Sequence, residues 1–272
     1  MMYINSLILG IVQGLTEFLP VSSSGHLVIL HNILNFDIKQ NLFFDVALHL
    51  GTALAIFVFF YKDWFRYIKA FFRMIARSTK SEDRTDLDMI FKIIVATIPA
   101  VILGLIFSDL IENKLHDPGV VVIALGIIAL TFFWIEKKAK QDKLFSEITF
   151  GQSFLVGLAQ AVALIPGVSR SGITIVTGMY FRLARAEAAK FSFLLSFPVI
   201  LGAGFLKIMK FDFLQMESTL LLSFAIGFLG SFVIGLFAIK YFIKFSEKYS
   251  LRPFAYYRIG LAIVVVLYFY FR

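Results

Sequence analysis

The sequence predicts an all-α integral membrane protein with two inverted-topology repeats, and three observations lead to this fold class. Hydrophobic residues make up 59% of the chain and charged residues only 16%, whereas a soluble domain carries about a quarter charged residues. Several apolar runs reach the roughly 20 residues that a helix needs to cross a bilayer. A polar motif interrupts the apolar chain twice, at residues 10–26 and again at residues 157–173.

Six apolar segments predict membrane-spanning helices. They cover residues 44–61, 89–107, 119–135, 187–206, 218–241 and 252–271. Segments 5–34 and 151–181 are also long and apolar, but Pro, Ser and Gly break each of them near its middle. Non-helical backbone inside a membrane needs surrounding protein or water. We therefore predict that each broken segment forms a re-entrant helical hairpin.

The repeated motif makes the two broken segments a pair. The matching residues are Gly10 with Gly157, Gln13 with Gln160, Ser22 with Ser169, and Ser24 with Ser171. Paired Gly- and Pro-broken segments in the two halves of a membrane protein point to a binding site between inverted repeats. We expect a single membrane domain over residues 1–272, with repeat one over about 1–136 and repeat two over about 150–272.

The charge distribution predicts the orientation in the membrane. The formal net charge is +8, and most of the 26 Lys and Arg residues fall in segments 62–92, 136–150, 182–190 and 240–252. These segments lie on one face of a six-span protein, which the positive-inside rule makes cytoplasmic. Both termini then lie outside, and the two hairpins enter from opposite sides. Because topology explains the basic charge, we expect no nucleic-acid partner.

Segment 62–88 has a pattern of its own. In segment 62–88, aromatic and aliphatic residues recur at helical spacing with Arg and Lys between them, which predicts a helix lying in the cytoplasmic membrane interface. A partner-binding helix is the alternative interpretation.

The chain has no cysteine, which excludes disulfides, thiolate chemistry and cysteine-based metal sites.

The first broken segment places its polar residues around a predicted turn. If residues 11–18 are helical, Gln13 and Glu17 share one face because they are four residues apart. Pro20 ends that helix, and His26 opens the next one. An intramembrane carboxylate such as Glu17 is expensive to bury, which makes it a functional-site candidate by default.

The same segment carries the groups of a catalytic site. Glu17, Ser23 and His26 provide a carboxylate, a hydroxyl and an imidazole, which are the parts of nucleophilic or general acid–base catalysis. Ser22 and Ser24 lie in the turn and present further hydroxyls to a bound substrate. The plain alternative for each serine is a bond to a backbone carbonyl.

The second broken segment carries an anion-binding group. Arg170 is always charged and presents five donors in a fork that suits phosphate oxygens. Ser169, Ser171 and Thr174 flank it as further candidate substrate contacts. The structural interpretation is that Arg170 pairs with Glu17 across the repeat interface, which still permits phosphate binding.

Other polar residues are weaker candidates. Asp45 and His49 open the first span, where they line a cavity mouth or satisfy an interface. We expect His31 at the membrane interface and His116 in a loop. Arg258 lies near the cytoplasmic start of the last span, and we predict that its side chain snorkels to the surface.

Two motifs resemble those of a known family. Residues 14–26 read GLTEFLPVSSSGH and residues 166–172 read PGVSRSG. They resemble the two signature motifs of undecaprenyl-diphosphate phosphatase, a family of bacterial membrane enzymes linked to bacitracin resistance. Segments 45–51 (DVALHLG) and 191–195 (FSFLL) are similar to family segments too.

The resemblance implies an activity and a compartment. It implies hydrolysis of the terminal phosphate of the C55 isoprenyl diphosphate carrier, which yields the monophosphate carrier for peptidoglycan and other envelope polymers. It also implies a site open to the outer side of the bacterial cytoplasmic membrane and a divalent cation, Mg²⁺ or Ca²⁺, as cofactor. Oligomeric state is left open, with a homo-oligomer as one option.

By motif position, Glu17, Ser23, His26 and Arg170 match the family's catalytic set, with Glu17 as the metal ligand. Gln13 departs from the family pattern, because members commonly have a glutamate there. An amide cannot supply the charge of a carboxylate. Either Glu17 carries both duties in this chain, or Gln13 only orients a ligand.

Two questions stay open at the level of the sequence. The first is the nucleophile: Ser23 with His26 as base or acid, or a water activated by Glu17 or His26. The second is the function class, because broken helices in inverted repeats are also the architecture of transporters. A transporter or flippase for a lipid-linked or small anion is the alternative. The Ser23–His26 pair favours the enzyme, since transport needs neither a nucleophile nor a base.

Overall fold

The computed structural model describes residues 2–34, 38–107, 110, 117–209 and 218–271. This part of the chain is all-helical, with eleven α-helices, one 3₁₀ turn at Phe145–Glu147 and no β-strand. The helices are α1 (Met2–Thr16), α2 (Ser23–Leu34), α3 (Ile38–Phe59), α4 (Tyr61–Ile75), α5 (Asp83–Ile106), α6 (Pro118–Lys138), α7 (Phe150–Val162), α8 (Arg170–Tyr180), α9 (Arg185–Ile208), α10 (Ser218–Lys248) and α11 (Arg252–Tyr270).

Five of these helices, α5, α6, α9, α10 and α11, are long and apolar enough to cross a membrane. A sixth candidate span is the pair α3 and α4, which passes the same test over Phe43–Phe59 and Tyr61–Ile75 but bends by 77° between them. Many large apolar side chains on the spans face outward, as in Leu130 and Ile263, where lipid replaces water as the solvent. The chain is therefore a multi-pass integral membrane protein, and each predicted span coincides with a helix.

The two broken segments form helix–turn–helix units, as predicted. The helix α1 ends at Thr16, two residues earlier than expected, although the backbone N–H of Glu17 still donates to the carbonyl of Gln13 at 3.0 Å. In the second unit, α7 ends at Val162, and the turn that contains Pro166 separates it from α8. In both units the chain leaves the helix before it reaches the proline.

Glycines let the first helix of each unit pack closely on a distant span. A Cβ on Gly10 of α1 would lie 2.5 Å from the carbonyl oxygen of Gly227 on α10. A Cβ on Gly157 of α7 would collide in the same way with the carbonyl of Ala96 on α5. Small residues permit such close helix approach in membranes. Each unit is thus fixed against a span from the other half of the chain.

The helix predicted in segment 62–88 is present as α4. It buries Trp64, Tyr67 and Ala70, while Phe65 and Phe72 are more than 60% exposed. The side of α4 with Trp64 and Tyr67 packs on the protein. The side with Phe65 and Phe72 is exposed. This amphipathic pattern is typical of a helix at a membrane surface.

Candidate active site

The two turns have the same backbone geometry. Ser22 and Ser169 have positive φ angles of 75° and 72°, a conformation that costs on the order of 1–3 kcal/mol for a residue other than glycine. Each serine caps the helix that follows, because its Oγ accepts from the backbone N–H three residues on: Gly25 at 3.3 Å and Gly172 at 3.1 Å. The capping bonds hold both turns in this strained form.

Hydrogen bonds join the two turns to each other. Ser24 Oγ accepts from the backbone N–H of Gly167 at 3.3 Å, and Ser171 Oγ donates to the carbonyl of Leu19 at 3.3 Å. Gly167 has φ of +93°, and a Cβ there would lie 2.7 Å from the carbonyl oxygen of Val121. The two polar motifs, far apart in sequence, therefore form one site.

Glu17 lies at the centre of this site and is only 6% exposed. Nη2 of Arg170 donates a hydrogen bond to Oε1 of Glu17. The Glu17–Arg170 ion pair that the sequence analysis gave as the structural interpretation is therefore present. Oε2 of Glu17 accepts from Gln13 Nε2 at 2.9 Å and from Ser23 Oγ at 2.8 Å. The Nη1 group of Arg170 is buried and has no hydrogen-bond partner. One arm of the guanidinium is thus free to bind an anion.

His26 contacts a residue that the sequence analysis did not single out. Its Nδ1 lies 2.8 Å from the carbonyl oxygen of Ser22, and its Nε2 lies 2.7 Å from the hydroxyl of Tyr257. A carbonyl only accepts, so Nδ1 carries the proton and Nε2 accepts from the tyrosine. No hydrogen bond joins Ser23 to His26 in the described chain. The hydroxyl of Ser23 is paired with Glu17 instead.

His49 reaches the site from α3. Its Nδ1 lies 2.8 Å from Gln13 Nε2 and 3.4 Å from Glu17 Oε2. Asp45, one helical turn earlier, instead contacts His31 at 2.9 Å. Of the two roles weighed for His49, the structure places it against the carboxylate of the site. The predicted loop residue His116 lies outside the described residues.

The prediction that Arg258 snorkels is wrong. Its side chain is fully buried, because the two turns and α6 surround it with backbone carbonyls. The carbonyls that accept from its guanidinium belong to Gly167 (2.7 Å), Val168 (3.2 Å), Leu125 (3.2 Å), Pro20 (3.3 Å) and Ala124 (3.4 Å). These bonds satisfy a buried cation without a carboxylate and tie both turns to one residue of α11.

Thr174 lies behind Arg170, within α8. It is 1% exposed, and its Oγ1 donates to the carbonyl of Arg170 and contacts Ser192 Oγ on α9, both at 2.7 Å. Ser169 and Ser171 contact each other at 3.3 Å and are buried. These three hydroxyls hold the first turn of α8 in place.

The described residues contain no group of three or more His, Cys, Asp or Glu side chains that could hold a metal ion. They do contain one free oxygen beside Glu17, because Gln13 Oε1 is buried and has no hydrogen-bond partner. Mg²⁺ is commonly held by one or two protein oxygens together with substrate phosphates. Glu17 and Gln13 fit that mode of binding, although they do not form a protein-only metal cage.

The fold and the site define a multi-pass α-helical membrane protein with a buried Glu–Arg–Ser site formed by two helical hairpins. The comparisons with known proteins agree with this class. The chain belongs to the family described as bacitracin resistance protein BacA, whose model matches residues 6–264.

Relatives of similar length carry one name. The undecaprenyl-diphosphatase of Rubrobacter xylanophilus is 45% identical over 263 residues, which cover 96% of either chain. The undecaprenyl-diphosphatase of Thermodesulfovibrio yellowstonii is 44% identical over 268 residues, covering 98% of this chain and 97% of its own. A protein of the same name from Acinetobacter baumannii is 40% identical over 267 residues. The resemblance inferred from the two motifs is therefore confirmed over nearly the whole chain.

Proposed function

We propose that this protein hydrolyses the terminal phosphate of undecaprenyl diphosphate and releases undecaprenyl phosphate and inorganic phosphate. The reaction recycles the lipid carrier for peptidoglycan synthesis and confers resistance to bacitracin. Membership of the family and the names of the relatives support this activity. The observation that carries it is the contact of Glu17 with both Arg170 and Ser23, which places a base, an anion-binding fork and a hydroxyl together.

The protein holds the substrate at its terminal phosphate and along its isoprenoid tail. Arg170 binds the terminal phosphate through the Nη1 group that has no protein partner, and through Nη2 once the phosphate displaces Glu17. Ser22, Ser24, Ser169 and Ser171 shape the turns around it through their capping and cross-turn bonds. The isoprenoid tail lies along apolar helix faces in the bilayer.

The chemical step begins at Ser23. Its Oγ attacks the terminal phosphorus while its proton passes to Glu17 Oε2, to which it already donates at 2.8 Å. The bond from that phosphorus to the bridging oxygen breaks, and undecaprenyl phosphate leaves. Water then hydrolyses the phosphoserine to inorganic phosphate. Direct attack by a water that Glu17 or His26 activates is the competing route, in which His26 has the role of general base. In both routes, positive charge from Arg170 stabilises the transferring phosphoryl group.

A divalent cation, Mg²⁺ or Ca²⁺, is part of the proposal. Glu17 and Gln13 Oε1 would hold it together with oxygens of the diphosphate. When bound, the cation supplies neutralising charge to the phosphates. Because residue 13 is a glutamine, Glu17 is the sole carboxylate among these proposed cation ligands.

The membrane arrangement is part of the same proposal. The two units are re-entrant hairpins of inverted repeats, with six spans, both termini on the outer side and the basic face in the cytoplasm of a bacterial inner membrane. Equivalent glycines support the repeat, because Gly10 and Gly157 make the same backbone contact with spans of the opposite half. The positive-inside rule supports the orientation.

Phosphate release in detergent tests the function. Purified protein in micelles should release inorganic phosphate from C55 diphosphate, and a chelator should abolish the release. Arg170→Lys keeps the charge but loses the planar fork, so we expect a fall of at least tenfold in turnover. Because a micelle permits no vectorial transport, phosphate release there demonstrates hydrolysis, whereas an intact protein that binds the lipid without releasing phosphate would contradict the phosphatase and favour the transporter or flippase.

A further inference from the structure

A cavity lies away from the hairpin turns, where α3, α4, α9 and α10 meet. Its volume is about 690 Å³, within the usual size range of ligand sites. None of its lining residues belongs to the Glu17–Arg170 site. It lies at the 77° bend between α3 and α4, where an apolar helix is followed by an amphipathic one.

The cavity has an excess of positive charge. Four lysines line it: Lys62 on α4, Lys190 on α9, and Lys240 and Lys244 on α10. The carboxylates that line it are Asp63 and Glu247. Asp63 contacts Lys190 at 3.5 Å, but it is also shared with Arg66 at 3.3 Å, so it neutralises the cavity only in part.

The remaining lysines have no ion-pair partner among the described residues. Lys240 and Lys244 are four residues apart on α10 and therefore project from the same face. Two like charges at this spacing destabilise a helix. A bound anion would remove that repulsion and would use both donors at once.

The inner wall of the cavity is apolar. Phe59, Phe60 and Ile243 line it beside the lysines, and Phe60 is only 5% exposed. A free inorganic anion needs no such wall. A lipid phosphate does, because its glycerol and upper acyl segments must lie against apolar surface while the phosphate meets the ammonium groups.

We propose that this cavity binds the headgroup phosphate of an anionic membrane phospholipid. Its position at the end of a span and beside an amphipathic helix puts the lysines at headgroup depth, where basic pockets between helices bind anionic lipids. The site is separate from the hairpin turns and does not depend on the phosphatase activity. Its lipid joins α3, α9 and α10 at their cytoplasmic ends.

Lipid titration followed by native mass spectrometry tests the proposal. The intact protein in detergent is titrated with phosphatidylglycerol or with phosphatidylcholine of the same chains. The cavity variant is Lys190→Gln/Lys240→Gln/Lys244→Gln. The matched control is Lys137→Gln/Lys138→Gln/Lys140→Gln, which removes three exposed lysines outside the cavity. Since a lysine at an anionic surface contributes about fivefold in affinity, the cavity variant should lose about 100-fold for phosphatidylglycerol.

Three comparisons complete the test. The affinity of the control variant for phosphatidylglycerol should fall less than about fivefold. Phosphatidylcholine should bind both glutamine variants with equal affinity. The variant Lys190→Arg/Lys240→Arg/Lys244→Arg, which retains the charges, should bind like the wild type. An equal loss in the two glutamine variants would mean general surface attraction and overturn the proposal. Displacement of phosphatidylglycerol by millimolar inorganic phosphate would assign the cavity to a free anion and overturn it as well.

Discussion

Glu17 and Arg170 could be predicted as site residues from the sequence, because each is a charged group inside an apolar motif. Gln13 followed from its helical spacing to Glu17. Tyr257 and the role of Arg258 could not be predicted in the same way, and His49 was only a weaker candidate for a cavity mouth. They come from α3 and α11, and only the tertiary fold brings these helices to the hairpin turns. No local pattern separates such residues from ordinary polar residues near helix ends.

Tyr257 is expected to act through His26. Tyr257→Phe removes the hydroxyl that donates to His26 Nε2 and should lower turnover by about tenfold, with a changed pH profile, because the imidazole loses its partner. His26→Ala should lower turnover by about 10²–10⁴-fold. Steady-state assays across pH measure both effects. The control is Tyr256→Phe on the preceding, exposed tyrosine; if it matches Tyr257→Phe, the assigned contact has no role.

Arg258→Lys should damage both turns. A lysine has three donors and cannot replace a planar fork that bonds five carbonyls. We expect a lower melting temperature and a large loss of turnover, measured on the detergent-purified protein. The exposed Arg252 on the same helix gives the control, since Arg252→Lys should change neither quantity. Normal stability and turnover in Arg258→Lys would show that the carbonyl bonds do not position the turns.

At the scale of helices, the apolar runs and the broken motifs predicted the elements well. All six predicted spans lie in helices, and both turns fall where Pro, Ser and Gly cluster. The ends were less predictable, as in α1, which ends at Thr16 although the backbone N–H groups of Glu17 and Leu19 still donate to the carbonyls of Gln13 and Leu15. The sequence did not predict the angle between α3 and α4, because that angle depends on how α4 packs through Trp64 and Tyr67.

Glycine contacts give a test of helix packing. Gly157→Ala adds a methyl group where the backbone of α5 already lies, and overpacking of this kind typically costs about 1–3 kcal/mol. The melting temperature should fall. Gly151→Ala, on the same helix, meets no atom within 4 Å and should leave the melting temperature unchanged or higher. Equal behaviour of the two variants would contradict the close contact between α7 and α5.

For the whole molecule, the number of spans and the orientation remain predictions from charge and hydropathy. A chain without cysteine suits labelling by single introduced cysteines. A cysteine at Ser81, between α4 and α5, should react with an impermeant thiol reagent only from the cytoplasm. One at Asn113, between α5 and α6 in the sequence, should react only from outside. Reaction of both from the same side would refute the six-span arrangement.

We propose that two hairpins build one site in which Ser23 and Glu17 act on a lipid diphosphate that Arg170 holds. Quenched single-turnover reactions in detergent test this proposal, with C55 diphosphate radiolabelled in its terminal phosphate. We expect transient label on Ser23 followed by release of labelled phosphate, and we expect Ser23→Ala and Glu17→Gln to lose both. Full phosphate release by Ser23→Ala, or no release by the intact wild-type protein, would contradict it.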